Sequence, residues 1–328
     1  MVKTIDEQRL LDILGILRYN KGPLGATIIA RRLEISGHDI GDRMVRNYLQ
    51  ILDNKGFTKK AGHLGRIITE KGIAELNAEK IHERVGFIKS VIQDLTYQVT
   101  YNHLKRDGDI IVNISLIGDK RLNTALKVLK SVYESGWMIN PLINVFSAGY
   151  DVCGTAIPKG KVAICTVCSI NIDGILVSRG IPTDPIYGGI VEVINNKPEK
   201  FVEIIRFDGS SLDPLELFMA KGMTSVLKVV EDGKGRILAN YREIPASSRN
   251  EFTEFLDQIS TLFKGIMMVG EPGEKVLGLI PSARSCGVAV VGGLNPIAAI
   301  EEAGIATKTR AIHGLMPIRM MKHLEEFI

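Results

Sequence analysis

Residues 39–54 read DIGDRMVRNYLQILDN and run directly into Lys55-Gly56-Phe57. Val45, Leu49 and Leu52 fall at helical spacing, so one face of a helix here is apolar and turns inward. Arg43, Arg46, Asn47 and Gln50 occupy the opposite face, and all four carry donors that reach phosphates and base edges. Upstream, Ile28 to Leu33 reads as a short helix joined to this one through Ser36-Gly37, the pattern of a helix-turn-helix. Downstream, Gly56 stands where a C-terminal cap belongs. Residues 57–69, FTKKAGHLGRIIT, alternate around a Gly-rich tip as a two-stranded wing does. Lys59, Lys60, His63 and Arg66 are then placed for the phosphate backbone. The spacing predicts a winged helix over residues 1–79, with its recognition helix starting near Ile40.

Charge supports that reading over a purely protein-docking module. Residues 1–80 hold 14 Lys+Arg against 10 Asp+Glu, whereas residues 81–328 hold 27 of each. The net charge of +4 therefore sits on the candidate DNA reader, as an electrostatic footprint requires.

A chain of 328 residues predicts two or three domains, and 45% hydrophobic residues are ample for real cores. The uncharged run Ser135 to Tyr150 is broken by Asn140-Pro141 and is too short to span a bilayer. The N-terminus reads as an amphipathic helix, about Thr4 to Tyr19, rather than a signal peptide, so a cytoplasmic location is expected. Cys153, Cys165, Cys168 and Cys286 lie in apolar, strand-like stretches with no sign of a disulfide framework.

After the wing, Thr69 is placed to cap a helix running through Ile73 and Leu76. Ile81, Val85, Ile88, Ile92, Leu95 and Val99 then follow a heptad spacing, which predicts a linker helix over 80–105. The seam has two uses: packing on its own domain, or pairing with a second subunit at a dimer interface.

From residue 107 the chain repeats itself. Placing Gly108 on Gly235 puts Ile110 on Ile237, Asn113 on Asn240 and Ile117 on Ile244. An amphipathic helix follows each strand, and CSINIDGIL at Cys168 is matched to CGVAVVGGL at Cys286. Gly180-Ile181 then pairs with Gly304-Ile305. In the segment between, Asp213, Pro214 and Glu216 form a capping box over a short helix. The expectation is an α+β effector domain over 106–328, made of two lobes, about 107–205 and 233–328, related by a pseudo-two-fold axis.

No catalytic constellation stands out: the chain has no Gly-rich phosphate fingerprint with its Lys-Ser/Thr ending and no HExxH. Cys165 and Cys168 lie three apart in one strand and so point to opposite faces, which favours buried small hydrophobes over a redox or metal pair. Neither a catalytic residue nor a metal site is predicted. Anion chemistry is visible instead. A strand, Gly292-Gly293, and a helix opened by Asn295-Pro296 offer backbone N–H groups to a carboxylate. Ser282, Arg284 and Ser285 add donors nearby in sequence. In the first repeat Asp173-Gly174 reads as a tight hairpin, with Arg179 and Tyr187 beyond it facing the same cleft.

Taken together, CSINIDGILVSRGIP, YGGIVEV, DGSSLDPLELF, ANYREIPA and CGVAVVGGLNPIAAIEEAGI, with the winged helix in front, resemble the NrpR family of archaeal repressors of nitrogen-assimilation genes. The resemblance covers essentially the whole chain. It implies a homodimeric repressor on two-fold-symmetric operator DNA, released by 2-oxoglutarate as effector, with no other cofactor and no enzymatic activity. It also implies the short form of the family, with one effector domain, which works with a second subunit of the same kind lacking a DNA-binding domain. The rival reading is a winged-helix redox or metal sensor built on the four cysteines.

Overall fold

The computed structural model describes residues 5–18, 20, 22–35, 40–73, 75, 87–259 and 263–328. The chain divides into two compact units, Met1–Gly86 and Phe87–Ile328.

In the first unit, α1 (Ile5–Arg18), α2 (Ala26–Ile35) and α3 (Asp42–Asn54) surround a core of Ile13, Leu14, Leu17, Ile29, Leu33, Val45, Leu49 and Leu52. Tyr48 is buried with them. Helix α3 starts at Asp42, close to Ile40 as expected; Ile40 is drawn into the core and Gly41 holds an extended N-cap backbone. At its other end Gly56 takes a left-handed φ of 75°. The Phe57 N–H then reaches Leu52 O at 2.9 Å and the Gly56 N–H reaches Asp53 O at 2.9 Å, a Schellman closure.

The wing pairs β1 (Thr58–Lys60) with β2 (Arg66–Ile68), Lys60 facing Arg66. Leu24 and Arg66 exchange both backbone hydrogen bonds at 3.0 Å, which ties the wing to the chain entering α2. Gly65 makes that approach possible, since a Cβ there would lie 2.1 Å from Leu24 O. The Thr69 hydroxyl accepts the Gly72 N–H at 3.1 Å and caps the helical turn at 70–73, as expected. The Ser36-Gly37 turn and Leu76 lie outside the described residues.

The second unit opens with α4 (Ile88–Gln98), the described part of the expected linker. Ile92 and Val99 are buried, and Ile88 and Leu95 half-buried, in the core of this same unit. That side of the heptad stripe therefore packs on its own domain. Ile81 and Val85 lie outside the described residues.

Beyond α4 the duplication is plain in the topology. The first half runs β3 (Asp109–Gly118), α5 (Leu122–Glu134), β4 (Leu142–Phe146), the small hairpin β5 (Asp151–Val152) and β6 (Thr155–Ala156), β7 (Lys161–Val167), α6 (Asn171–Val177), β8 (Asp184–Ile194) and β9 (Lys197–Arg206). Helices α7 (Pro214–Ala220) and α8 (Val226–Asp232) connect the halves. The second half runs β10 (Gly235–Pro245), α9 (Arg249–Ile259), β11 (Ile266–Val269), β12 (Ser285–Val291), α10 (Asn295–Glu302), β13 (Lys308–Pro317) and β14 (Lys322–His323).

The two antiparallel five-stranded sheets have the orders β13-β3-β7-β4-β14 and β11-β12-β10-β8-β9. Each half thus sends its last two strands into the other half's sheet, β8 beside β10 with β9 outside it, and β13 beside β3 with β14 beside β4. The expected lobes 107–205 and 233–328 are interlocked by this exchange rather than separate. Both large apolar clusters accordingly draw on both halves: Leu126 and Leu129 of α5 share one with Ile297 and Ile300 of α10.

The structure also resets the repeat register. Asn171 Oδ1 accepts the Ile111 N–H at 2.7 Å and its amide donates to Ile111 O at 2.7 Å. Asn295 does the same with Leu238, at 2.7 and 3.0 Å. Each asparagine opens a helix and pairs with its half's first strand as a strand residue would. Cys168 therefore corresponds to Gly292, not Cys286, and Asp173-Gly174 lies inside α6 rather than in a hairpin.

Candidate functional site

On the first unit, Arg43, Arg46, Asn47 and Gln50 are all exposed on α3, opposite the buried Val45-Leu49-Leu52 face. Arg46 pairs with Asp42 one turn earlier at 2.7 Å, a solvated contact that leaves its charge on the surface. Gln50, Asp53, Asn54, Thr58, Lys59, Lys60 and Arg66 line a groove between this helix and the wing. Lys59, Lys60 and His63 are exposed, His63 on the tip turn Gly62–Leu64. Arg66 is not a tip residue. Its Nε donates to Asp53 Oδ2 at 2.7 Å, and the Thr58 hydroxyl donates to the other Asp53 oxygen at 2.6 Å. Both members of the Arg66–Asp53 pair are 19% exposed, so this arginine braces the wing against α3.

On the second unit the residues expected to hold a carboxylate fall in several places. Arg284 is exposed at one end of β12 and Gly292 lies beyond the other. A seven-residue strand separates them by roughly 20 Å, so they cannot grip one carboxylate. Near Arg284, the Ser282 N–H donates to Glu243 Oε2 at 3.1 Å and the Ser285 carbonyl accepts the Gly273 N–H. Around Gly292 three of the N–H groups are already used: Gly292 to Leu238 O, Asn295 to Gly292 O and Ile297 to Leu294 O. The Asn295 side chain is spent on Leu238. Gly293 is glycine because the halves touch there; a Cβ would stand 3.0 Å from Ser169 N and 3.3 Å from Asn113 Nδ2. Arg179 stacks on Phe255 at 4.2 Å and meets His103 at 2.7 Å on the surface. Tyr187 accepts from Arg206 at 3.4 Å and packs near Tyr241.

What the fold does bring together is a buried polar cluster between the halves. A water-sized space, about 10 Å³, is bordered by Asn113, Cys168, Ser169, Asp213, Asn240, Gly293 and Ile312 among others. The asparagines reach across to opposite halves. Asn240 Nδ2 donates to Ser169 Oγ at 2.7 Å, and Asn113 Nδ2 approaches Gly293 O at 3.5 Å. Asn113 Oδ1 accepts the N–H of Ile312, a β-branched residue held at φ 48° in a bulge of β13. The neighbouring Ala311 N–H is taken by Glu216, so Glu216 clamps the exchanged strand instead of closing a capping box. Asp213 does cap α7, accepting from Leu215 and Glu216 at 2.8 and 3.1 Å, and burial lifts its carboxyl to about 7.

Two residues along β10 from Asn240, Arg242 forms an ion pair with Asp173 of α6, both completely buried. Burial pushes the Asp173 carboxyl up, and the Arg242 charge works against that push. Sequence reading missed this pair because Asp173 had been placed in a turn. The available signal was charge: Asp173 stands among Ile170, Ile172, Ile175 and Leu176, where a carboxylate needs a buried partner.

Cys165, Cys168 and Cys286 are buried, and Cys153 is exposed. Burial raises the thiols of Cys165 and Cys168 to about 12. Among the described residues no group of three or more His, Cys, Asp or Glu side chains could hold a metal ion. No described helix is long and apolar enough to cross a membrane.

Fold and surface together define a winged-helix transcriptional regulator joined to a duplicated α+β regulatory domain. Residues 85–323 match the family of NrpR regulatory domains NRD1 and 2, and residues 11–76 match the ribonuclease R winged-helix domain family. The chain belongs to the NrpR family. It is 38% identical over 319 residues to the global nitrogen regulator NrpRI of Methanosarcina mazei, covering 97% of this chain and 98% of that one. It is 34% identical over 321 residues to the global nitrogen regulator NrpR of Methanocaldococcus jannaschii, covering 98% of this chain but 56% of that one. It thus spans a little over half of that longer relative. The crystal structure of a nitrogen repressor-like protein from Methanococcus jannaschii superposes with a TM-score of 0.62 at 30% identity, over 73% of this chain and 98% of that one.

Proposed function

We propose that this chain represses nitrogen-assimilation genes by binding two-fold-symmetric operator DNA as a homodimer, or with a second NrpR-type subunit, and that 2-oxoglutarate releases it. The observation that carries the DNA-binding part is the division of α3. Its inner face is fixed in the core, while Arg43, Arg46, Asn47 and Gln50 stand exposed beside Lys59 and Lys60 of the wing. A helix presented this way enters the major groove with the wing on the backbone. Its similarity to global nitrogen regulators supports the choice of genes. The protein acts by binding and carries out no chemistry of its own.

The effector part of the proposal puts 2-oxoglutarate between the two halves, near Asn113 and Asn240; the space there is water-sized, so binding requires the halves to part, and strand exchange makes ligand occupancy and the arrangement of the halves one event. Release requires the ligand to prefer the arrangement that misplaces the DNA-binding units, since equal affinity for both shifts nothing. A gel shift on a promoter of a nitrogen-assimilation gene, with and without 2-oxoglutarate, tests the whole reading. A retarded complex that dissolves on addition of the metabolite supports it. No complex, or one indifferent to the metabolite, contradicts it.

A further inference from the structure

At one end of the first sheet the finish of β3 meets the starts of β7 and β13. Gly118 pairs with Lys161, Leu116 pairs with Lys308, and the Asp119 N–H donates to Gly160 O at 3.2 Å. These three segments carry Lys120 and Arg121, Lys159 and Lys161, and Lys308 and Arg310, all exposed. Lys161, Lys308 and Arg310 share one face of the sheet, because their partners Gly118, Leu116 and Ile114 alternate along β3. The Arg121 side chain folds back toward that face, its Cγ 3.8 Å from where a Cβ on Gly118 would stand. Among the described residues none of the six cations is in an ion pair. Asp119 is the acid of these segments, and its carboxylate accepts the Lys120 N–H at 2.7 Å. Six cations thus stand against one acid on a domain whose charges otherwise balance, with 27 of each sign over residues 81–328.

The duplication shows that the fold does not require them. The same end of the second sheet is built alike: Pro245 pairs with Ser285, Glu243 pairs with Asp184, and the Ala246 N–H donates to Arg284 O at 2.9 Å. The positions matching the six cations hold Ser247, Ser248, Ala283, Ser285, Asp184 and Tyr187. Neutral and acidic side chains therefore complete the same turns. Crowded like charges repel and work against the folded state, so the first sheet keeps its six against that cost.

Composition selects the occupant. Protein interfaces centre on aromatic and apolar side chains and are poor in lysine, whereas DNA interfaces are polar and strongly positive. Four of the six cations are lysines, and no exposed large apolar residue falls in these segments. The first unit of the same chain carries an exposed DNA-reading face, so duplex held there is at high effective concentration for the rest of the molecule.

We propose that this end of the first sheet is a second, sequence-independent contact for duplex DNA, made by the regulatory domain itself through Lys120, Lys161, Lys308 and their neighbours. This rests on the reading of the chain as an operator-binding repressor and adds phosphate contacts outside the winged helix. Strand exchange assembles the surface, since Lys308 and Arg310 come from the second half and the other four cations from the first.

The test is the salt dependence of DNA binding by the full chain, on a long duplex carrying the operator and on a random duplex of equal length. Lys120→Ala, Lys161→Ala and Lys308→Ala combined, one from each segment, should weaken binding to both duplexes alike, about tenfold or more. The slope of log K against log salt should fall with them by roughly two to three. A second variant, Lys197→Ala with Lys264→Ala and Lys275→Ala, removes the same charge from exposed positions about the second sheet and should keep the wild-type slope. Should the first combination fail to fold, Lys120→Ala and Lys308→Ala singly, each lowering the slope by about one, still decide. An unchanged slope in the folded patch variant, or an equal loss in the second variant, overturns this contact and leaves the proposed function standing. A wild-type chain that binds neither duplex overturns both.

Discussion

Arg66 Nε donates to Asp53 Oδ2 at 2.7 Å, and this half-buried contact joins the wing to the last turn of the recognition helix. Arg66→Ala should loosen the wing and cost roughly 1–2 kcal/mol of stability in the DNA-binding unit. Operator binding should weaken with it, by misplacing Lys59 and Lys60. Asp53→Asn should reproduce much of the defect without removing a positive charge. Comparing the two variants by urea unfolding and by operator titration separates the brace from a direct phosphate contact; a normal Asp53→Asn protein would favour the latter.

The exposed face of α3 should behave differently. Arg46→Ala and Gln50→Ala are expected to lower discrimination between operator and random DNA by about 1–3 kcal/mol, with folding intact. Lys60→Ala should weaken binding to every sequence and flatten the salt dependence. Equal losses on operator and random DNA for Arg46→Ala would put the reading face elsewhere.

In the regulatory domain, Ile92 is 1% exposed and packs within its own subunit. Ile92→Asp should therefore destabilise that domain by several kcal/mol, about 3–5 by analogy with other unpaired buried charges. Tyr97, 85% exposed on the same helix, should accept the same substitution within about 0.5 kcal/mol. Thermal unfolding of both variants checks this, and a fully stable Ile92→Asp protein would mean α4 does not pack as described.

These contrasts show what the residues could and could not announce. Apolar spacing in α3 and in the repeated strands is local, so both elements and the Asn113–Asn240 correspondence were readable directly. The exchange of β8 and β13 was not, because a strand's own sequence does not say which sheet receives it. The repeat register slipped for a related reason: the cysteines at 168 and 286 match in letters, whereas the fold aligns Asn171 with Asn295 by their bonds to Ile111 and Leu238. Contacts between distant parts of the chain were the least legible. Arg284 and Gly292 are neighbours along the chain, yet a strand holds them apart, while Asp173 and Arg242 are 69 residues apart and in contact.

Asp213 gives a pH signature. Its folded-state value near 7 lies above the unfolded value of about 3.9, so its favourable contribution is complete below about pH 4 and is lost as pH rises through 7. Asp213→Asn keeps a capping oxygen and cannot ionise. Wild type should lose stability from about pH 4 to 7 relative to Asp213→Asn, by an amount on the order of a few kcal/mol, and run parallel to it above that range. Parallel stability profiles for the two proteins would show that Asp213 is not held neutral.

The buried thiols make the cysteine-sensor reading testable. With Cys165 and Cys168 near 12, roughly one thiol in ten thousand is thiolate at pH 8. Native protein should be alkylated at Cys153 well before either of them, by mass spectrometry. Cys165→Ala with Cys168→Ala should retain the response to 2-oxoglutarate, and losing it in a folded protein would revive the sensor.

The central claim is that effector and operator are coupled through one equilibrium between arrangements of the same molecule. Linkage then requires each to weaken the other by the same factor. The most direct measurement is the affinity for 2-oxoglutarate with and without saturating operator, set beside the affinity for operator with and without saturating 2-oxoglutarate. The account predicts two equal factors, both well above one. Identical 2-oxoglutarate affinities in the presence and absence of operator would contradict it.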